Sequence, residues 1–247
     1  MAGQTVYDEH VRMYLDFIDN ALAHEPSLYL GLCDIFRRLL GDRLNGARVL
    51  DVACGEGYMS RYFAPLGPRT ITAVDLSSSL LDVARERCDA PNVAFALDDA
   101  RTLASIEDAS MGVVVSQMAM MDIADHVATF RSVRRVIAPG GMFVFSVLHP
   151  CFQSPTNIPH GQLPFLEDDN GERVAVLTWR YTSEGHFMSG GTGVRGHMGS
   201  YHRMLSTYVN DLQEAGFRLE RLEEPVWDVP GLFSRVPIVL VVAATPV

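Results

Sequence analysis

Uninterrupted apolar runs, separated by segments of helical periodicity, constrain this 247-residue chain more than any other feature. The runs cover residues 49–53, 70–74, 93–97, 113–116 and 142–147. A strand with one wet face alternates polar and apolar residues, whereas a strand buried on both faces does not. The pattern therefore predicts an α/β fold in which a largely parallel sheet lies between two layers of helices.

Helix signals fill the gaps between the runs. Ser77 or Ser78 can cap a helix running to about Cys88, and Asp125 can cap one carrying Val127, Phe130, Val133 and Ile137, which Pro139-Gly140-Gly141 stops. Upstream, Val11, Tyr14, Leu15, Ile18 and Leu22 recur at helical spacing, as do Leu28, Leu32, Ile35, Phe36, Leu39 and Leu40, with Pro26 between the sets. Two amphipathic helices thus form an N-terminal cap over residues 1–45, and residues 46–247 form the main domain. Residues 149–202, rich in Pro, Gly, His and aromatic residues, hold one strand-like run, 174–181. That length exceeds a plain connection and predicts a functional insertion after the fifth strand. A helix over 204–215, ended by Gly216, and two more strands, 217–223 and 238–244, close the chain.

Composition narrows the partners. A hydrophobic fraction of 48% supports one full core. The net charge of -10 repels a phosphate backbone, so nucleic acid is not an expected partner, and the basic pairs Arg37-Arg38 and Arg134-Arg135 read as solvated helix faces. Cys33, Cys54, Cys88 and Cys151 show no paired metal-binding spacing. The first residues lack a basic, then apolar, leader, and no apolar run approaches the ~20 residues of a membrane span. A soluble cytoplasmic protein with no membrane partner is expected.

The chemistry concentrates where the first run ends. Asp51-Val-Ala-Cys-Gly-Glu-Gly57 gives strand, then glycine turn, with a helix expected from about Glu56, and the next run ends in Asp75. Gly55 and Gly57 let the backbone turn sharply and approach a ligand, while Asp75 stands where an acid accepts hydrogen bonds from a ribose diol. A dinucleotide site requires a third glycine, and that position is Ser60. This disfavours a nicotinamide-dependent oxidoreductase. Asp51, just before the turn, instead suits a ligand with a cationic ammonium end.

Asp51-Val-Ala-Cys-Gly-Glu-Gly57, Val74-Asp75-Leu76-Ser77, Asp98-Asp99-Ala100 and Ile137-Ala-Pro-Gly-Gly-Met-Phe143 together resemble the successive motifs of class I S-adenosylmethionine-dependent methyltransferases, in the small-molecule, type 11-like branch. The resemblance covers residues 48–146. It implies a Rossmann-like, doubly wound seven-stranded sheet whose last strand is antiparallel, with S-adenosylmethionine as cofactor and S-adenosylhomocysteine as product. It further implies that the backbone at Ala53, Cys54 and Gly55 holds the methionine part and that Asp51 faces the ammonium. Asp75 would bind the ribose, Leu76 would pack on the adenine, and Asp99 would accept from the adenine amino group beside the N–H of Ala100. Asp98 replaces the glycine usual there, so either acid can be the adenine partner, with Asp99 preferred. Ser116 and Gln117 would sit beneath the sulfonium.

The implied reaction moves a methyl group to an O, N, S or C atom of a small-molecule acceptor, a metabolite or natural product. A cofactor-binding enzyme that does not methylate, such as a cyclase, would carry the same motifs. His149, at the carboxyl end of the fifth strand, is the leading candidate base, with Tyr201 and His202 bordering the insertion. His160, His186 and His197 are weaker candidates. Tyr7, Tyr14, Trp179 and Tyr181 can close the pocket, although helix packing is the simpler role for the two N-terminal tyrosines. No second ligand pair accompanies His149 and Cys151, so no metal is expected.

Overall fold

The computed structural model describes residues 5–152, 165–171, 173–176, 180–188, 193–227 and 236–247. Trp179 and His160 lie outside them. The five predicted runs become β1 (Arg48–Val52), β2 (Thr70–Asp75), β3 (Val93–Leu97), β4 (Met111–Gln117) and β5 (Ile137–Leu148). Adjacent members pair in parallel in the order β5-β4-β1-β2-β3.

The chain then adds β10 (Phe217–Glu223) and β11 (Val239–Pro246). The last strand, β11, inserts between β5 and β10 and runs antiparallel to both, completing a seven-stranded sheet ordered β10-β11-β5-β4-β1-β2-β3.

Residue parity divides the interior into two cores. Leu50, Val52, Val114, Phe143, Phe145, Val147 and Leu240 pack on one face, against α6 (His126–Val136) and α8 (Leu205–Glu214). Val49, Val113, Val115, Val144, Val239 and Val241 pack on the other, against α3 (Leu28–Leu40) and α4 (Tyr58–Phe63). Period-2 side-chain direction thus turns each uninterrupted apolar run into two buried faces. β3 departs from that reading: it is the sheet edge, and none of its residues is fully buried.

The N-terminal cap comprises α1 (Val6–Glu9), α2 (Val11–Ala23) and α3, followed by a 3₁₀ turn over Gly41–Leu44. The helix α5 (Ser78–Arg87) is capped by the Ser77 hydroxyl, and α6 by Asp125. Pro139-Gly140-Gly141 does not form the helix stop expected of it. α6 ends at Val136, and the motif lies within β5, whose pairing to β4 is irregular between Met111 and Val113.

The region after β5 holds β6 (Phe165–Glu167) paired with β7 (Arg173–Val176), β8 (Gly185–Phe187) paired with β9 (Ser200–His202), and the single turn α7 (Val194–His197). The strand order reverses between the parallel strands β4 and β1, and this opens a crevice at the carboxyl ends of the central strands. The cap and α7 border it.

Candidate functional site

A cavity of about 850 Å³ occupies that crevice. One part of its wall is built by strand termini. After β1 the backbone takes left-handed angles at Ala53 (φ +56°), Gly55 (φ +58°) and Gly57 (φ +80°). Left-handed glycine costs little, so the turn is tight enough to place backbone N–H groups beside the next strand. Gly55 N donates to Asp75 Oδ2 (2.8 Å), Ser77 N donates to Asp75 Oδ1 (2.9 Å), and Cys54 N donates to Val74 O (3.0 Å). Burial nonetheless pushes the Asp75 carboxyl above its ordinary range, against these bonds.

Asp51 is 1% exposed and lines the same part. The Ser60 hydroxyl donates to its Oδ2 (2.6 Å), while Oδ1 has no partner. Burial pushes this carboxyl up to about 7, with Asp75 and Glu56 adding repulsion and Ser60 opposing them. A buried acceptor left unpaired costs about 1–3 kcal/mol, so this atom calls for a donor. That is how an ammonium-bearing cofactor fits. Tyr14 of α2 covers the turn: a Cβ added at Gly55 would stand 2.9 Å from its hydroxyl oxygen.

The rest of the cofactor set falls into three groups. Ala53, Cys54, Gly55, Leu76, Asp98, Asp99, Ala100 and Gln117 line the cavity with Asp51 and Asp75. Gly57 does not; its missing Cβ leaves room for the Phe95 ring, 2.8 Å from where that atom would lie. Ser116 is also removed from the wall, fully buried, with its hydroxyl donating to Val52 O (2.9 Å) and so tying β4 to β1.

The two adjacent acids are distinct. The Asp98 carboxylate accepts from the N–H groups of Asp99, Ala104 and Ser105 and from the Ser105 hydroxyl, which fixes the turn after β3. Asp99 accepts from the half-exposed Arg101 side chain, which holds its carboxyl below the usual range. The expected helix from Glu56 begins two residues later, at Tyr58. Glu56 instead turns inward to Arg61 (2.7 Å) and Arg87 (3.3 Å), and Arg87 reaches Asp19 of α2 (2.7 Å).

A second part of the cavity wall is built by side chains from distant segments. The Tyr7 hydroxyl donates to Asp122 Oδ2 (2.8 Å), and the Arg195 guanidinium of α7 pairs with Asp122 Oδ1. Phe17, Tyr29, Phe187 and Met188 add an apolar wall. Arg203, buried, donates to the carbonyls of Met120, Ile123 and Ala124 and so fixes the loop that carries Asp122. Tyr7 and Tyr14 therefore face the cavity rather than only packing a helix face.

Of the three candidate catalytic residues, His202 alone lies on the cavity wall. Its Nε2 bonds to Tyr181 O (2.7 Å), which requires the proton on Nε2 and leaves the lone pair on Nδ1; burial lowers its pKa, keeping the ring neutral. His149 lies behind the wall, 1% exposed, with Nε2 on Glu224 (2.7 Å) and Nδ1 accepting from Cys151 N (3.2 Å). Both nitrogens are committed, so the expectation of a base at the end of β5 meets a ring fixed in the structure. Tyr201 is also off the wall, against His186 (4.8 Å between centroids) and beneath Arg203. The Tyr181 hydroxyl accepts from Leu205 N (2.9 Å) at the start of α8.

Sequence reasoning missed Tyr29, Asp122 and Arg195. Asp122 ends a short 3₁₀ turn beyond β4 and Arg195 is the lone arginine of a glycine-rich stretch, but neither is marked in the sequence as the other's partner.

A family model described as a methyltransferase domain matches residues 49–141. The chain is 29% identical to N-demethylindolmycin N-methyltransferase of Streptomyces griseus, over 81% of this chain and 84% of that one. It is 37% identical to malonyl-[acyl-carrier protein] O-methyltransferase of Serratia marcescens, over 47% of this chain and 44% of the relative, so it spans under half of that protein. A solved S-adenosylmethionine-dependent methyltransferase from Mesorhizobium loti superposes with a TM-score of 0.71 at 25% identity, covering 84% of this chain and 94% of that one.

Proposed function

We propose that this chain, which belongs to the class I S-adenosylmethionine-dependent methyltransferases, methylates an oxygen or nitrogen of a small organic acceptor bound between its N-terminal cap and the 149–202 insertion. The observation that carries the proposal is a cavity of about 850 Å³ lined both by the strand-end residues and by an aromatic and polar set from the cap, the loop after β4 and α7. That volume falls within the range of ~300–1,000 Å³ of small-molecule pockets. The relatives' names support the acceptor class, since one acts on N-demethylindolmycin and another on malonyl-[acyl-carrier protein]. The net charge of -10 supports a small molecule over a nucleic acid.

Asp51 Oδ1 would receive the ammonium of the cofactor, Asp75 its ribose hydroxyls, and Leu76, Asp99 and Ala100 its adenine. Asp99 suits this role better than Asp98, because its bond to half-exposed Arg101 can be exchanged while the Asp98 turn cannot. Bound S-adenosylmethionine supplies a methyl group already activated by its sulfonium. The protein's work is then to align the acceptor and exclude water, an orientation effect. Tyr14 and the cap shield the glycine turn, and His202 Nδ1 is the nitrogen fitted to take an acceptor proton.

The direct test combines calorimetry with S-adenosylmethionine and detection of S-adenosylhomocysteine during incubation with phenols, carboxylic acids and secondary amines. Binding and acceptor-dependent product are expected. Failure to bind the cofactor, with Asp75→Ala indistinguishable from the parent, removes the reading; intact cofactor beside a rearranged substrate would favour a cyclase.

A further inference from the structure

We propose that Arg195 anchors a carboxylate of the methyl acceptor through the Nε/Nη2 edge of its guanidinium. The inference rests on the function proposed above and names the acceptor class more closely. A guanidinium has five N–H donors, and its Nε–H and Nη2–H lie parallel along one edge, the geometry that matches the two oxygens of a carboxylate.

In Arg195 a single nitrogen, Nη1, serves both Asp122 and Gly199 O (3.1 Å). Nε and Nη2 hydrogen-bond to nothing among the described residues, and neither is a sealed, unpaired atom. Arg195 forms part of the cavity wall. The other guanidinium on that wall shows what this edge takes: Arg101 Nε and Nη2 are both on the Asp99 carboxylate, at 3.0 and 2.5 Å.

Were Arg195 only a latch between α7 and the loop after β4, one nitrogen would complete it, and three N–H groups remain. Asp122 does not compete for them, since its second oxygen holds the Tyr7 hydroxyl. Asp51, Asp75 and Asp99 disfavour an anion beside the strand-end residues, and Arg101 is already on Asp99, which leaves Arg195 as the guanidinium with an open edge among the described lining residues. Phe17, Tyr29 and Phe187 then face the acceptor's apolar body. The carboxylate is an anchor, and the methylated atom is elsewhere on the acceptor.

The test titrates the protein, saturated with S-adenosylhomocysteine, with indole-3-propionate and with its primary amide. The acid should bind at least roughly tenfold more tightly than the amide. Arg195→Lys keeps a charge beside Asp122 but loses the fork, and should reduce that ratio severalfold. The double variant Arg195→Gln/Asp122→Asn removes both charges together, leaves no unpaired ion in the wall, and should bring the ratio to one. S-adenosylhomocysteine affinity should change in neither variant. Equal binding of acid and amide, no binding of either, or an acid preference that survives in the double variant overturns the proposal. Failure of the parent protein to bind S-adenosylhomocysteine counts instead against the methyltransferase reading.

Discussion

Two parts of the cavity wall are made by different means. At the strand-end wall, the working groups are backbone N–H donors and carboxylates within a few residues of a strand terminus, joined across 20 residues by the Gly55 to Asp75 bond. At the other wall, Tyr7, Asp122 and Arg195 meet across separations of 115 and 73 residues, and only side chains join them. The first wall is fixed by the register of β1 against β2. The second depends on how the cap and the insertion settle on the loop after β4. A constant donor and a variable acceptor suit that division: one wall is set by the sheet, the other by segments that can change without disturbing it.

The largest expected effect comes from Asp75→Asn. Both carboxylate oxygens accept from backbone N–H groups, so an amide nitrogen must face one of those donors. Hydrogen bonds to charged groups are worth about 1.5–3 kcal/mol, and loss of S-adenosylhomocysteine affinity by roughly 100-fold is expected by calorimetry. If the preference for acid over amide at Arg195 falls equally, the two walls are not separable.

Asp51 gives a pH signature to the strand-end wall alone. Its folded pKa of about 7 lies above the ordinary value of about 3.9. The folded protein therefore holds an extra proton between about pH 4 and 7. Stability should fall as pH rises through that window, by at most about 1.4 kcal/mol per unit from this group, and level off above it. Asp75, also raised by burial, slopes the same way, so Asp51→Asn should flatten the curve only in part. A cationic ammonium favours the ionised form, and cofactor affinity should rise over the same interval. Asp8 has the opposite sign. Burial raises its carboxyl, but hydrogen bonds from Ser77, Thr5 and Ser79 outweigh burial and hold it well below the usual range. Its contribution is present above about pH 4 and is lost only as pH falls further. Melting temperatures from pH 5 to 8, with and without cofactor, check the Asp51 window.

Gly55→Ala examines the joint between the walls, because Tyr14 of the cap is what the new methyl meets. A left-handed alanine costs roughly 1–2 kcal/mol, and the hydroxyl must move as well. S-adenosylhomocysteine affinity should fall about tenfold, and adding Tyr14→Phe should restore part of it. No restoration would assign the whole effect to backbone strain and detach the cap from the cofactor turn.

These variants follow the same line that separates what the chain's pattern reveals from what it conceals. Runs such as Val113-Val114-Val115 are buried on both sides, and burial leaves a compositional mark, so the sheet and its turn acids were readable. β8 and β9 have three residues each, too short for periodicity, and they were missed. Asp122 and Arg195 carry no local mark of their partnership, since the pairing exists only once the loop and α7 meet. His149 was misplaced for a related reason. Position at a strand end predicts nearness to the crevice, but not which way the ring turns, and Glu224, 75 residues away, holds the ring behind the wall.

Ser116 offers the smallest effect and a sharp discrimination. Its place at the end of β4 resembles that of Gln117, yet consecutive strand residues point to opposite faces, and only Gln117 reaches the cavity. The Ser116 hydroxyl joins Val52 O inside the sheet, where a neutral hydrogen bond contributes about 1 kcal/mol. Ser116→Ala should therefore lower unfolding free energy by about that amount in urea while leaving S-adenosylhomocysteine affinity within twofold of the parent. Gln117→Ala should lower both stability and binding: its amide donates to Tyr29 O (3.0 Å) and accepts from the Cys33 thiol, so its removal frees α3 beside Tyr29 on the cavity wall. An affinity loss in Ser116→Ala equal to that of Gln117→Ala would mean that the strand-end wall extends through both faces of β4, and that the division between walls is not drawn by strand parity.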